Sequence, residues 1–224
     1  MLTQHTPAGR RFPVLRPYTP IQGSDTRGYV QLLVKHYPGG VASTYMHSLQ
    51  PGQTLTVRGP IPGNCWTSEP SSSAAAAAAA APRDVLFLAG GAGITPIYSL
   101  TKRILGDPTE KTRIKLVWGV NTPEDLVLRD ELEGLEREFP GRLSVTYCIS
   151  DPKTSRIADD EKFRKGRVDR SVLQDAIRGF GSGWAEEKGR KVFVCGPPAM
   201  EEAVAGRKGV LKELNVGVRD IYRF

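Results

Sequence analysis

The chain has 224 residues, enough for one large or two small domains, and 39% of them are apolar, which is sufficient for a folded core. The formal net charge of +7 is modest. With no zinc-finger spacing, no aromatic and basic RNA motif and no long basic stripe, the sequence does not favour a nucleic-acid-binding protein. No apolar run is long enough to cross a bilayer, and the three distant cysteines show no metal-ligand spacing, so no metal is predicted.

The first twelve residues, MLTQHTPAGRRF, contain no acidic residue and are weakly similar to a mitochondrial presequence, although they run directly into a strand-like motif. An odd number of cysteines without an evident signal peptide favours a reducing compartment. The sequence therefore predicts an intracellular protein.

Three short extended runs follow, Val14 to Thr19, Gly28 to Tyr37 and Thr54 to Arg58, with turn residues at 23–25. Their spacing predicts an antiparallel β-domain. Between the second and third runs, GGVASTYMHSL at residues 39–49 leads through glycines into a short helix, which makes it a candidate phosphate site.

Residues 64–82, NCWTSEPSSSAAAAAAAAP, are low in complexity. Polyalanine favours helix, but no amphipathic pattern gives this segment anything to pack against. We predict a linker or solvent-exposed insertion here, which separates a β-domain at residues 1–63 from an α/β domain at residues 83–224.

The stretch VLFLAGGAGITPIYSL, residues 85–100, predicts a buried strand, a tight turn and a helix, with Thr95 as the N-cap and Pro96 in the first helical position. Glycines in the turn at 90–93 let backbone N–H groups approach an anion, and the helix dipole adds partial positive charge. Such turns also occur merely to pack a helix on a sheet. The spacing fits neither G-x-G-x-x-G nor the P-loop, so a nucleotide is indicated but not its class.

Beyond this helix, which is predicted to end near Gly106, strands and helices alternate. Strands are predicted at 114–120, 143–149 and 192–195, and helices at 122–139, about 171–177 and about 199–214, with a polar loop at 151–166. The alternation predicts a doubly wound parallel sheet, whose ligands lie at the carboxyl ends of the strands. The loops GGAG, WGVN, ISDP and CGPP all fall at such ends.

Five motifs occur together and in order: RPYTP at 16–20, GGVAS at 39–43, GGAGITP at 90–96, NTPEDLVLRDELEGL at 121–135 and CGPPAM at 195–200. The combination resembles the ferredoxin-NADP reductase superfamily, most closely its NADH-cytochrome b5 reductase branch. The resemblance runs from Val14 to Phe224, interrupted by the alanine-rich segment. It implies a partial antiparallel FAD-binding barrel followed by a doubly wound NAD(P)-binding domain.

The resemblance also implies which residues hold FAD. Arg16 would pair with the flavin phosphate, Tyr18 would lie against the isoalloxazine, and the Thr19 hydroxyl would contact N5, the hydride-accepting atom. The other implied flavin contacts are Pro17, Val34, Lys35, Tyr37, Gly40, Val41, Ala42 and Ser43. From the residues alone, a strand or core aromatic is the favoured interpretation of Tyr18, and the segment 40–43 is equally an ordinary helix cap.

For the pyridine nucleotide, the resemblance implies contacts of the pyrophosphate and ribose with Gly91, Gly93 and Thr95. Residues implied to border the nicotinamide are Cys195, Gly196 and Pro197, with Met200 in the same motif. Thr19 and Cys195 are thus the residues implied at the hydride transfer itself. Without a paired base, Cys195 is a small polarisable wall of the site rather than a nucleophile, and from the residues alone it is equally a buried core cysteine.

The choice between NADH and NADPH depends on Ser150 and Asp151, which fall where the family binds the adenosine ribose. A carboxylate there accepts from the 2′-OH and repels a 2′-phosphate, which favours NADH. Lys153 and Arg156 follow closely and would attract a phosphate, so NADPH remains possible. All four residues also fit a solvated loop.

The family's flavin domain is a closed six-stranded barrel in which RPYTP follows the first strands. Here about fifteen residues precede it, so we expect a truncated FAD-binding domain with exposed sheet edges. A truncated gene model, a fragment and completion by a partner all fit this expectation, and retention of FAD is open.

The resemblance implies an enzyme that transfers hydride from NAD(P)H, NADH favoured, to FAD and then electrons to a haem protein such as a cytochrome. Two alternatives are a nucleotide-binding remnant that acts as an assembly or interaction factor, and a reductase module of a larger enzyme. Relatives are often membrane-anchored, but no such segment is evident here, so the expected location is mitochondrial on family grounds or cytoplasmic.

Overall fold

The computed structural model describes the chain except for Ala8, Arg10 and residues 23–25, 60–82, 152–159 and 185–189. The predicted linker at 64–82 lies outside the described residues, as do Lys153, Arg156 and the turn at 23–25. The chain divides into two compact units, Met1–Asn64 and Cys65–Phe224.

The first unit is built on a three-stranded antiparallel sheet. Its elements are β1 (Leu2–His5), β2 (Val14–Pro17), helix α1 (Val41–Ser48) and β3 (Thr56–Arg58). The strand order is β2-β1-β3, so the central strand is the one that the sequence did not predict. Thr3 in β1 pairs with Arg16 on one side and Val57 on the other. Strand β1 therefore pairs with both of the other strands of this sheet.

The strand predicted at residues 28–37 is wrong, since only an isolated bridge, Pro20 with Leu32, forms there. The side chain of Gln22 replaces the backbone ladder, because its amide oxygen accepts from the Gln31 N–H (2.8 Å) and its amide nitrogen donates to the Tyr29 carbonyl (3.3 Å). Pro20 has no N–H to extend the pairing. One backbone hydrogen bond, from the Ile21 N–H to the Gln31 carbonyl (3.0 Å), and the two side-chain hydrogen bonds of Gln22 hold this extended segment.

The second unit is a six-stranded parallel sheet with helices, which confirms the predicted fold class. Its strands are β4 (Asp84–Gly90), β5 (Arg113–Val120), β6 (Leu143–Ile149), β7 (Phe163–Lys165), β8 (Lys191–Cys195) and β9 (Ile221–Arg223). Their order is β7-β6-β5-β4-β8-β9. Every residue of β4 is buried, as expected for a central strand covered on both faces. The edge strands β7 and β9 were not predicted, and β7 lies within the predicted polar loop.

The helices of this unit are α2 (Ile94–Gly106), α3 (Arg129–Glu138), α4 (Arg170–Arg178), α5 (Pro198–Ala205) and α6 (Val210–Glu213). Helix α2 ends at Gly106 as predicted, but its N-cap is Gly93 and not Thr95. The reason is a 3-10 turn over Gly91–Gly93 that leads directly into the helix. The Thr95 hydroxyl donates back to the Ala92 carbonyl (3.2 Å) and Pro96 lies inside the first turn.

Two other predicted helices are shorter than expected. The predicted helix 122–139 begins only at Arg129, after a 3-10 turn over Pro123–Asp125. Leu126 and Leu128 are both buried, and two residues at this spacing do not share one face of a helix. The predicted helix 199–214 is interrupted between α5 and α6, because the chain turns at Gly209, where a Cβ would lie 2.6 Å from the Val204 carbonyl oxygen.

The core beneath β5 and β6 contains an unpaired polar atom that offers a test of the packing. Tyr147 is fully buried against Trp118 and Phe163, and its hydroxyl has no hydrogen-bond partner in the described part of the chain. An unpaired buried hydroxyl costs roughly 1–3 kcal/mol. We expect Tyr147→Phe to raise the free energy of unfolding by about 1 kcal/mol in urea titrations.

The matched control is Tyr222→Phe, since the Tyr222 hydroxyl accepts a hydrogen bond from Lys191 Nζ (3.2 Å). This substitution removes a paired hydroxyl and is expected to lower stability by roughly 0.5 kcal/mol. Equal effects of the two substitutions would contradict the described packing of Tyr147.

Candidate nucleotide and flavin sites

The candidate nucleotide site is built where two strand ends meet. Ala89 in β4 pairs with Cys195 in β8, so the loops that follow these strands lie side by side. A Cβ at Gly93 would overlap the carbonyl oxygen of Cys195, and a Cβ at Gly90 would overlap the Met200 sulfur. Only glycine permits this approach of the two backbones. The loop 90–93 is therefore shaped by its contact with the CGPPAM loop.

The N-terminus of α2 has the properties of an anion site. Its first turn contains no acidic residue, and no side chain caps it. Gly91 adopts a left-handed backbone conformation (φ 50°), which turns the chain sharply into the helix. The first N–H groups of a helix have no partner within the helix and the helix dipole is positive there, although in α2 the Ile94 N–H donates back to the 3-10 turn and Pro96 has no N–H. This donor set suits a nucleotide phosphate.

Two side chains that the sequence did not single out hold these loops. The Trp118 indole N–H donates to the Gly91 carbonyl (3.0 Å) from a fully buried position in β5. The Glu201 carboxylate accepts from the Gly196 N–H (3.2 Å) and from Arg223 Nε (3.4 Å). Nothing in the sequence separated Trp118 from an ordinary core aromatic.

Cys195 lies at the end of β8 with its side chain largely buried. Burial, together with the nearby Glu201 carboxylate, raises the pKa of its thiol to about 12. The thiol is thus protonated at neutral pH, and a protonated thiol is a poor nucleophile. The role of Cys195 as a wall of the site stays a prediction.

Of the residues predicted at the nucleotide, the structure groups those on the GGAGITP and CGPPAM loops, namely Gly91, Gly93, Thr95, Cys195, Gly196, Pro197 and Met200. Asp151 lies at the same edge of the sheet but two strands away, after β6. Its backbone N–H donates to the Asn121 carbonyl (2.9 Å), which follows β5. The cofactor preference assigned to Asp151 stays a prediction.

The candidate flavin residues of the first unit gather at the end of β2. Burial raises the pKa of Tyr18, while the positive charge of Arg16 lowers it and Tyr37 raises it, so these three groups lie within electrostatic reach of one another. Arg16, Pro17 and Tyr37 are exposed, and Tyr18 and Thr19 are half-buried. A guanidinium beside two exposed or half-exposed rings suits a ligand that is both aromatic and anionic.

The loop before α1 is held by local hydrogen bonds. The buried Ser43 hydroxyl accepts from the Tyr37 N–H (3.2 Å) and donates to the Gly40 carbonyl (3.2 Å). The first turn of α1 has no acidic residue and no side-chain cap. Since the hydroxyl is engaged within the loop, the N–H groups of Val41 and Ala42 are the donors left for a phosphate.

Val34 is held by a residue that the sequence did not indicate. His47 Nε2 donates to the Val34 carbonyl (2.9 Å) from the last turn of α1. Lys35, the next predicted flavin contact, is half-buried in the same loop. Helix α1 thus fixes the predicted flavin loop at both ends, through Ser43 and His47.

The chain matches two families of known domains. Residues 87–206, more than half of the chain, match the oxidoreductase NAD-binding domain, and residues 3–65 match the oxidoreductase FAD-binding domain. The chain belongs to this oxidoreductase family. The resemblance stated from the five motifs is therefore confirmed, and so is the expectation of an FAD-binding and an NAD-binding domain.

Curated relatives and a solved structure agree with this assignment. The chain is 37% identical over 234 residues to NADH-cytochrome b5 reductase 2 of Pyricularia oryzae and 35% identical to that of Chaetomium globosum. It is covered completely but spans 64% and 61% of those relatives. The cytochrome b5 reductase domain of Ulva prolifera nitrate reductase superposes with a TM-score of 0.76 at 26% identity, covering all of this chain and 82% of that one.

The residues of this oxidoreductase fit the two cofactors in different ways. In the NAD-binding unit, the overlap that a Cβ at Gly93 would cause marks a cradle that only bare backbone forms. In the FAD-binding unit, the donors are the Arg16 guanidinium and the uncapped start of α1.

No helix in the described part of the chain is long and apolar enough to span a membrane.

We expect Gly93→Ala to weaken the binding of NAD⁺ by at least about tenfold, because the added methyl group forces the loop away from Cys195 and displaces the N–H donors. Isothermal titration calorimetry with NAD⁺ measures this directly.

The control is Gly106→Ala at the other end of α2, where a Cβ meets nothing within 4 Å. This variant is expected to bind NAD⁺ like the wild type and to gain roughly 0.5–1 kcal/mol of stability. Unchanged binding in Gly93→Ala would show that the nucleotide does not use this loop.

Proposed function

We propose that the chain is an NADH-dependent flavoprotein reductase that passes hydride from NADH to FAD and then single electrons to a haem protein such as a cytochrome. The observation that carries the proposal is the uncapped start of α2 pressed against the CGPPAM loop, where glycine leaves backbone donors for a dinucleotide. The names of the relatives, NADH-cytochrome b5 reductase 2, support the electron donor and the haem acceptor.

In this proposal the protein binds and orients the nucleotide, and its side chains take little part in acid-base chemistry. The N–H groups at Gly91 to Gly93 hold the pyrophosphate, while Cys195 and Pro197 border the nicotinamide. The protonated thiol of Cys195 presents a neutral surface to the ring. Cys195 is half-buried and Pro197 is exposed, so the bound nucleotide itself would cover this wall. Alignment and exclusion of water are what a hydride transfer requires of the protein.

On the flavin side, Arg16 would pair with the flavin phosphate and the N–H groups at the start of α1 would bind the pyrophosphate. Tyr18 would hold the isoalloxazine, and the Thr19 hydroxyl would offer a hydrogen bond to the ring. The chemistry that FAD supplies when bound is acceptance of a hydride and release of electrons one at a time.

The acceptor is proposed to be a haem protein with an acidic surface. Residues 1–70 contain six Lys or Arg and two Asp or Glu. An excess of positive charge attracts an acidic partner and raises the rate of encounter.

A second function is favoured by the exposure of the flavin residues. Arg16, Pro17 and Tyr37 are all exposed, and their sheet has three strands in the described part of the first unit. This arrangement favours a nucleotide-binding protein that does not retain FAD and acts through a protein partner.

One experiment separates the two functions. The purified chain is incubated with excess FAD, freed of unbound cofactor, and its visible spectrum is recorded before and after NADH is added without oxygen. A retained flavin spectrum that bleaches on addition of NADH supports the reductase, and cytochrome reduction then tests the acceptor. A folded sample that retains no flavin but binds NAD⁺ supports the second function and refutes catalysis by this chain.

We expect Asp151→Ala to reduce the preference for NADH over NADPH by about tenfold, because the loss of the carboxylate removes an acceptor for the 2′-OH and a repulsion toward a 2′-phosphate. The measurement compares kcat/KM for the two nucleotides.

Asp175→Ala, which removes an exposed carboxylate on α4, is the control and should leave the preference unchanged. The same preference in wild type and Asp151→Ala would place the ribose elsewhere.

A further inference from the structure

The Gly91 carbonyl at the candidate nucleotide site is turned toward the core. It accepts from the Trp118 indole N–H (3.0 Å) and also from the backbone N–H of Ile94. Trp118 pairs in register with Ala89, so its ring lies beside the end of β4, directly before the loop. The ring is fully buried. Both lone pairs of the Gly91 oxygen are thereby engaged on the inner side of the loop.

The orientation of the Gly91 carbonyl decides whether the loop presents an N–H group or an oxygen to a bound anion. In a trans peptide the C=O and N–H groups point in opposite directions, so a Gly91 carbonyl held inward turns the Ala92 N–H outward. Ala92 is partly exposed, whereas the next six residues, Gly93 to Tyr98, are buried. A reversed peptide would present an oxygen, with its partial negative charge, where a phosphate binds.

Gly91 is the place where such a reversal is easiest. Its φ of 50° lies in the left-handed region, and no atom lies within 4 Å of the position of a Cβ. Glycine populates both signs of φ with little difference in energy. The Ile94 N–H holds this peptide from within the 3-10 turn, and the Trp118 indole N–H adds a tertiary hydrogen bond that favours the same orientation.

We propose that Trp118 is a positioning residue for nucleotide binding, whose indole N–H locks the Gly91–Ala92 peptide with its oxygen inward and its N–H toward the phosphate. The proposal rests on the proposed function of the loop as the pyrophosphate site. It assigns Trp118 a role besides filling the core.

The test compares Trp118→Phe with Tyr147→Phe. The first keeps an aromatic ring but removes the only donor of the side chain, and the second removes a hydroxyl without a hydrogen-bond partner from the ring that packs beside it. The dissociation constant for NAD⁺ is measured by calorimetry on the full chain, without need of flavin or turnover. We expect the dissociation constant for NAD⁺ to be about two- to tenfold higher in Trp118→Phe than in the wild type, which corresponds to the loss of one buried hydrogen bond.

A second measurement follows the loop itself. Amide hydrogen exchange of the segment 91–94 in nucleotide-free protein should be faster in Trp118→Phe than in wild type or Tyr147→Phe. Where the chain turns over NADH, KM should rise while kcat changes less than about twofold, since the loop binds the ground state and the transition state alike. A merely structural role lowers the melting temperature without these effects.

Because phenylalanine is smaller than tryptophan, an isosteric variant completes the set. Replacement of Trp118 by benzothienylalanine keeps the two-ring shape and exchanges the N–H for sulfur. Weaker NAD⁺ binding in this variant as well supports the proposal. Wild-type affinity in both Trp118 variants overturns it, and a wild-type chain that binds no NAD⁺ overturns the proposed nucleotide site along with it.

Discussion

The second unit depends on one steric constraint, the approach of the Gly93 backbone to the carbonyl of Cys195. Parallel strands β4 and β8 are neighbours, so the loops after them compete for the same space at the carboxyl edge of the sheet. Because Gly93 has no side chain, the two loops can pack side by side. The start of α2 therefore lies at that edge without a capping side chain, and the candidate anion site is a consequence of the packing.

A site of this kind is costly for the fold, because α2 begins without a capping side chain and without an acidic residue in its first turn. Two hydrogen bonds from outside the loops offset the missing cap: the Trp118 indole N–H donates to the Gly91 carbonyl, and the Glu201 carboxylate accepts from the Gly196 N–H. Both partners come from secondary structure, a strand and a helix. Rigid elements therefore shape the flexible glycines, as a preorganised site requires.

The sequence predicted the parallel sheet well, because a strand buried on both faces, such as β4, has an unbroken apolar pattern. It missed β1, since LTQH buries only Thr3. It placed the N-cap at Thr95, because residue preference does not show that a 3-10 turn precedes the helix. Trp118 could not be assigned to the site, since a hydrogen bond across two strands depends on register. The sequence thus indicated the loops of the candidate site but not the contacts that orient them.

The two units hold their site loops by different means. In the NAD-binding unit, the orienting donor, Trp118, is fully buried, where a hydrogen bond is little weakened by water. In the FAD-binding unit, Val34 is held by His47, which is exposed, and the adjoining Tyr37 is exposed as well. Loops with few buried contacts open at lower free energy than core elements. The candidate nucleotide loop is therefore oriented by a donor from the core, whereas the candidate flavin loop is held from α1 by one buried hydroxyl, Ser43, and one exposed ring, His47.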